Sequence, residues 1–146
     1  MRKVIVLKEA QKSDCLFLYE LLSERKSYEN ISHKKNPTYA KHVKFVMSKP
    51  YTKWYIIYHG KEKIGSIYLT KQDEIGIHFK ESLKANLQPK SVFWLRVLKI
   101  TMKKNPRNRY LVNINPRNTR MKNFLKNAGF ELIQYTYEVP KRINHG

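Results

Sequence analysis

The sequence predicts a single α/β domain built on a mixed sheet, and three observations carry that expectation. Segments with period-two and period-3.6 hydrophobicity follow one another in the order β-α-α-β-β-β-α-β-α-β, with no repeat, low-complexity tract or linker to divide them. Two strand-like runs, 53–58 and 63–70, flank His59-Gly60-Lys61-Glu62, a good hairpin turn, so the middle of the sheet is antiparallel. A strongly apolar helical segment then separates strands 74–79 and 109–114, and a right-handed crossover makes those two strands parallel neighbours. At 146 residues the chain can bury a sizeable core, and 41% hydrophobic with 12% aromatic residues is a globular composition.

The elements follow in order. VIVL, 4–7, is a short first strand. Residues 11–25 form a helix that gathers Cys15, Leu18 and Leu22 on one side with Leu16 and Tyr19 beside them, and Ser13 or Asp14 begins it. After a polar loop, Pro37 opens a second helix that brings Tyr39, His42, Val43 and Val46 near one another, and Pro50 ends it. The meander continues through a tight turn near Gln72-Asp73 into EIGIHF, 74–79. From Pro89 the next helix is apolar almost all round, with Arg96, Lys99 and Lys103 on one exposed stripe, so it is mostly buried. Strand 109–114 stops at Asn115, a good N-cap, with Pro116 at the first helical position and Gly129 at the position that ends the helix. FELIQYTYEV, 130–139, is the closing strand. Trp54 and Trp94 read as core, and Tyr135 and Tyr137 as core or rim packing.

Thirty Lys and Arg against eleven Asp and Glu give a net charge of +19. Such a field attracts polyanions: nucleic acid, an anionic membrane surface or a phosphorylated small molecule. A Lys- and Asn-rich compositional bias explains the charge at least as well. The basic residues are scattered, with no arm or aromatic stacking motif, so nucleic acid is the weaker partner reading. The lone Cys15 excludes an internal disulfide and reads as a buried, inert thiol. Five histidines, at 33, 42, 59, 78 and 145, show no paired ligand spacing, so no metal is expected. No apolar run approaches the ~20 residues of a membrane-spanning helix and no signal peptide is evident, which makes a soluble cytoplasmic protein the expectation. Monomer and homodimer both stay open.

Two titratable side chains stand out on the central strand. Glu74 and His78 have the same parity and face the same way, so either is placed to take a proton if that face lines a cleft. Glu74 reads equally as a solvated strand end, His78 as a packed polar residue, and His42 as a surface histidine.

Asn115, Asn118 and FLKNAGF, 124–130, resemble the N-x-x-N…(F)(Y/L)-x-K-x-G-F segment of the GNAT superfamily of N-acyltransferases, and the element order resembles that family over nearly the whole chain. Tyr39 and His42 ahead of WYIIYHGKEKIGSIYL also look like members that acetylate nucleotide-linked amino sugars. The resemblance implies a central sheet of six to seven strands with helices on both faces, splayed between 74–79 and 109–114. It implies acetyl-CoA in that gap and transfer of the acetyl group to a primary amine by direct attack. The acceptor is a small molecule, such as an amino sugar nucleotide, or a protein N-terminus. The backbone of Ile77, His78 and Phe79 would take the pantetheine, and Lys84, Lys90 and Ser91 the pyrophosphate. Asn115, Asn118, Arg120 and Phe124 would line the cofactor, Tyr39 and His42 the acceptor. Glu74 or His78 would be the base and Tyr137 the donor to the departing thiolate. Two departures stand against the family pattern. No glycine lies between Gly76 and Gly129, where the family's phosphate loop reads Q/R-x-x-G-x-G/A, and Leu125 stands where many members have Tyr. The alternative is a non-catalytic module of the same fold that binds nucleic acid through its charge.

Overall fold

β1 (Ile5–Glu9) buries Ile5 and Leu7 and turns Val6 outward, the alternation of a strand with one covered face. The structure, a computed structural model, describes residues 4–25, 36–82 and 90–144. β1 is followed by a 3-10 turn (Lys12–Asp14), α1 (Cys15–Ser23), α2 (Tyr39–Met47), β2 (Lys53–His59), β3 (Glu62–Leu69), β4 (Glu74–Phe79), α3 (Lys90–Lys104), β5 (Leu111–Val112), α4 (Thr119–Asn127) and a short α5 (Lys141–Asn144). The strands form one sheet in the order β1-β2-β3-β4-β5. The first four are antiparallel neighbours and β4–β5 is parallel.

Strand parity divides the core in two. Ile57, Ile67, Leu69, Ile75 and Phe79 face α3 and α4, where they meet Trp94, Val97, Leu98 and Leu125. On the other face Ile56 packs with Cys15, Leu18, Leu21 and Val46, and Trp54 and Tyr58 lie against them. Helices therefore cover both faces, and Cys15 is buried as expected.

Local chemistry sets the element ends. The Gln11 N–H donates to Asp14 Oδ2 (2.8 Å), which starts the first helical segment, and the buried Asp14 also accepts from Lys63 Nζ (2.8 Å). α2 begins two residues later than expected. Thr38 is its N-cap, with Oγ1 accepting from the Lys41 N–H (3.3 Å), so Pro37 sits before the cap rather than inside the helix. The β3–β4 turn places Asp73 at φ 67. Arg107 clamps that turn by donating to Thr70 O (2.6 Å) and Asp73 Oδ1 (2.9 Å), which ties the approach to β5 to the start of β4.

Two expectations are corrected. β5 spans two residues rather than 109–114, and 130–139 forms no strand, so the described residues hold five strands instead of six to seven. Residues 131–139 are exposed throughout, Tyr135 and Tyr137 at 77% and 87%, so neither tyrosine packs in the core or its rim.

Candidate functional site

β4 and β5 part company after two residue pairs, Glu74↔Leu111 and Ile75↔Val112, while β4 runs on to Phe79. Which backbone groups this frees follows from strand alternation. Lys80 N–H donates to Ile64 O (2.9 Å) and Thr70 N–H to Glu74 O (2.9 Å), so the even-numbered residues of β4 aim their backbone at β3. Ile77 and Phe79 therefore aim theirs at the side from which β5 has departed. This corrects the expectation for His78, whose main chain pairs with Ser66 of β3 and which offers the gap only its side chain. Backbone groups left over in a partly buried cleft need partners, and an extended ligand carrying amides can supply them as an added strand does.

Side chains of the same parity crowd the α1/α2 face of this fork. Glu74 stands at its apex. Its Oε1 accepts from the Thr70 hydroxyl (3.2 Å) and its Oε2 from Asn113 Nδ2 (2.5 Å), so the carboxylate is held from both strands. It is half-buried, rather than a free solvated strand end. Two turns of the pleat along, the His78 ring meets the guanidinium of Arg25 through Nε2. Arginine has no acceptor, so Nε2 is the accepting nitrogen. His78 also tilts against Tyr68 (6.0 Å), which stacks on Tyr51 (4.0 Å, 8°), and Trp54 meets Tyr51 edge-on (4.8 Å). Gly76 makes room for this cluster, since a Cβ there would come within 2.2 Å of the Tyr68 ring. Burial pushes both phenols up, so Tyr51 and Tyr68 stay neutral at ordinary pH.

The two α2 residues fare differently. Tyr39 is exposed and edge-on to Tyr19 (5.3 Å). His42 is not a surface histidine: it is 5% exposed, between Tyr19 (5.5 Å) and Phe45 (6.3 Å). Among the described residues its Nδ1 has no hydrogen-bond partner. Burial holds its pKa below the ordinary 6.5. Above that value the ring is neutral in both folded and unfolded chains. Below it the unfolded chain gains a proton that the folded chain refuses, so stability falls as pH drops. His42→Phe should flatten this loss between pH of about 6.5 and 5, read as Tm against pH beside the parent. An unchanged slope would remove His42 as its source.

At α4 the cap is Asn118, not Asn115. Asn118 Oδ1 accepts from the Met121 N–H (3.2 Å), whereas Asn115 Oδ1 accepts from the Arg117 N–H (2.9 Å) and shapes the turn through Pro116. Asn118→Ala is therefore expected to cost about 1 kcal/mol of stability, and Asn118→Ser little, in chemical denaturation. The helix ends as expected, with Gly129 at φ 91 and Phe130 N–H returning to Leu125 O (2.9 Å). Phe124 packs edge-on to Trp94 (5.3 Å), Leu125 is core, and Arg120 is exposed. Lys90 and Ser91 open α3, with side chains outside the described residues, as is Lys84 altogether. No described hydrogen bond or ring contact joins Tyr137 to Glu74 or His78. The fork thus brings together Glu74, Ile77, His78 and Phe79, with Asn113 and Arg25 as additions.

No protein-family model matches the sequence, and no curated protein matches it. Solved structures do match. An acetyltransferase from Thermus thermophilus has TM-score 0.68 at 16% identity, covering 92% of this chain and 92% of its own. Mutant forms of the spermidine/spermine N-acetyltransferase SpeG from Vibrio cholerae match at TM-score 0.66 and 12% identity, over 86% of this chain and 78% of theirs. The ribosomal L7/L12 alpha-N-protein acetyltransferase RimL, in complex with coenzyme A, matches at 0.65 and 17%, over 89% and 81%. The shared feature is the GNAT acetyltransferase fold.

Proposed function

We propose that the chain is an N-acetyltransferase that uses acetyl-CoA and binds it where β4 and β5 separate. The observation that carries this reading is the fork itself: Ile77 and Phe79 turn their main chain to the gap while Glu74 is pinned at its apex by Thr70 and Asn113. Acetyl-CoA supplies an activated acyl carbonyl. The N–H groups of Ile77 and Phe79 serve an amide-bearing arm and the carbonyl oxygen, where fixed donors favour developing negative charge. Glu74 accepts the proton of the attacking amine. His78 is the lesser base, because Arg25 occupies its accepting nitrogen. Leu125 is apolar core and Tyr137 is 87% exposed, so water brings the proton that the leaving sulfur takes.

The acceptor class follows from charge. SpeG acts on spermidine and spermine and RimL on a protein N-terminus. A chain of +19 with Arg25 on the acceptor face repels a polycation, and favours an amine carried on an anionic molecule such as a nucleotide sugar.

Thiol release from acetyl-CoA, measured across amines of differing charge, tests the activity. Turnover is expected with anionic-carrier amines above spermidine. In a thermal melt, acetyl-CoA at ~100 times its dissociation constant should stabilise the fold by about 2.7 kcal/mol. Absence of both turnover and stabilisation would overturn the reading.

A further inference from the structure

Tyr68 ends at the fork. It stands on β3 opposite Gly76 of β4, so the two residues share a face of the sheet. A Cβ on Gly76 would overlap Cζ, Cε2 and the hydroxyl oxygen of Tyr68. The phenol therefore crosses over from β3 and puts its tip where a side chain on Gly76 would stand. Glu74, Gly76 and His78 have one parity, so that tip lies between the Glu74 and His78 side chains. Gly76 is also the first residue of β4 beyond the last β4–β5 pair, Ile75↔Val112. The hydroxyl thus lies between the proposed base and the Ile77 main chain that faces the gap.

Its ring is fixed by its neighbours. Tyr51 stacks on it (4.0 Å, 8°), His78 tilts against it (6.0 Å), and Trp54 meets Tyr51 edge-on (4.8 Å). No described hydrogen bond engages the Tyr68 hydroxyl. A polar group that is half-buried, held rigidly and left without a protein partner is placed for a ligand. Burial raises its pKa, the Arg25 charge works against that, and the Glu74 carboxylate adds to it. The phenol is therefore neutral at ordinary pH, and its oxygen is free to accept.

Resting on the acetyltransferase reading, we infer that the Tyr68 hydroxyl orients the acceptor and makes the site selective for primary amines. It accepts one N–H of the attacking amine while Glu74 accepts the other, which leaves the nitrogen lone pair aimed at the acetyl carbonyl. The N–C bond forms as the C–S bond breaks. One amine proton passes to Glu74, and the sulfur takes its proton from water. The second N–H stays on the nitrogen of the amide product, and Tyr68 holds it throughout. Only a primary amine has hydrogens for both partners once its lone pair is committed to the carbonyl. A secondary amine has one, so either Glu74 or Tyr68 goes without.

Thiol release from acetyl-CoA with phosphoethanolamine and with N-methyl phosphoethanolamine, in the parent and in Tyr68→Phe, tests this. In the variant kcat/KM for phosphoethanolamine should fall roughly 2–13-fold, the worth of one hydrogen bond. The value for the N-methyl amine and the KM for acetyl-CoA should hold. The melting temperature should hold too, since the ring and its stacking on Tyr51 remain. Calorimetric binding of phosphoethanolamine to the coenzyme A complex reads the same contact without turnover, and should weaken in Tyr68→Phe. Equal constants for parent and variant, with turnover intact, overturn the role of Tyr68 and leave the acetyltransferase reading standing. A parent that releases no thiol and gains no stability from acetyl-CoA overturns that reading instead. Phosphoethanolamine bound equally by parent and variant, or by neither, overturns the inference whatever the turnover.

Discussion

Glu74→Gln is expected to lower acetyl transfer by about 10²–10⁴-fold while leaving the melting temperature close to the parent's. The glutamine keeps the size of the side chain and one oxygen to accept from Thr70 or Asn113, so the fork should retain its shape. What it lacks is a group that takes a proton from an amine. The loss should appear in kcat, with the affinity for acetyl-CoA nearly unchanged, because the proposed cofactor contacts are the main chain of Ile77 and Phe79 and not the Glu74 side chain. His78→Gln should do less, as its accepting nitrogen already faces Arg25. If Glu74→Gln keeps full turnover, the proton goes elsewhere and Glu74 is a structural brace between the strands.

Ile57→Ala is the largest expected loss of stability, about 2–5 kcal/mol. Ile57 is 0% exposed at the centre of β2, in the cluster that also holds Ile67, Leu69, Trp94 and Val97. It is framed by backbone ladders on two sides, β1 at Leu7 and β3 at Gly65, so the sheet cannot collapse into the void. The melting temperature should fall by roughly 2–4 °C for each kcal/mol in a chain of this size. A loss below about 1 kcal/mol would mean that α3 moves to refill the space.

Most of the fold was legible because its signals are local. The hairpin at Gly60 and Lys61 depends on one glycine with φ 64, and the meander follows from it. The buried character of α3 was visible in apolar residues that run round most of the helix, broken by the Arg96, Lys99 and Lys103 stripe, and the crossover then fixed β4 and β5 as a parallel pair. Glu74 and His78 were readable as a pair from parity alone. The residues that complete the site were not. Asn113 looked like any strand residue, and only the register Glu74↔Leu111 brings it to the carboxylate. Tyr68 and Gly76 form a complementary pair across β3 and β4, which neither strand's sequence reveals by itself. Arg25 lies 53 positions from His78, beyond any periodicity. The cap at α4 moved from Asn115 to Asn118 because both asparagines accept from a backbone N–H, and the choice between turn and cap depends on the path of the chain around Pro116. For 130–139 the strand pattern was plain, yet the segment forms no strand, because a pattern does not supply a pairing partner.

Amide hydrogen exchange with and without saturating acetyl-CoA addresses the cleft most directly. The Ile77 and Phe79 amides, turned to the gap between β4 and β5, should exchange markedly more slowly with ligand, while those of Gly76 and His78, already paired with β3, should change little. Equal rates at Ile77 and Phe79 with and without acetyl-CoA would contradict a cofactor site at the fork.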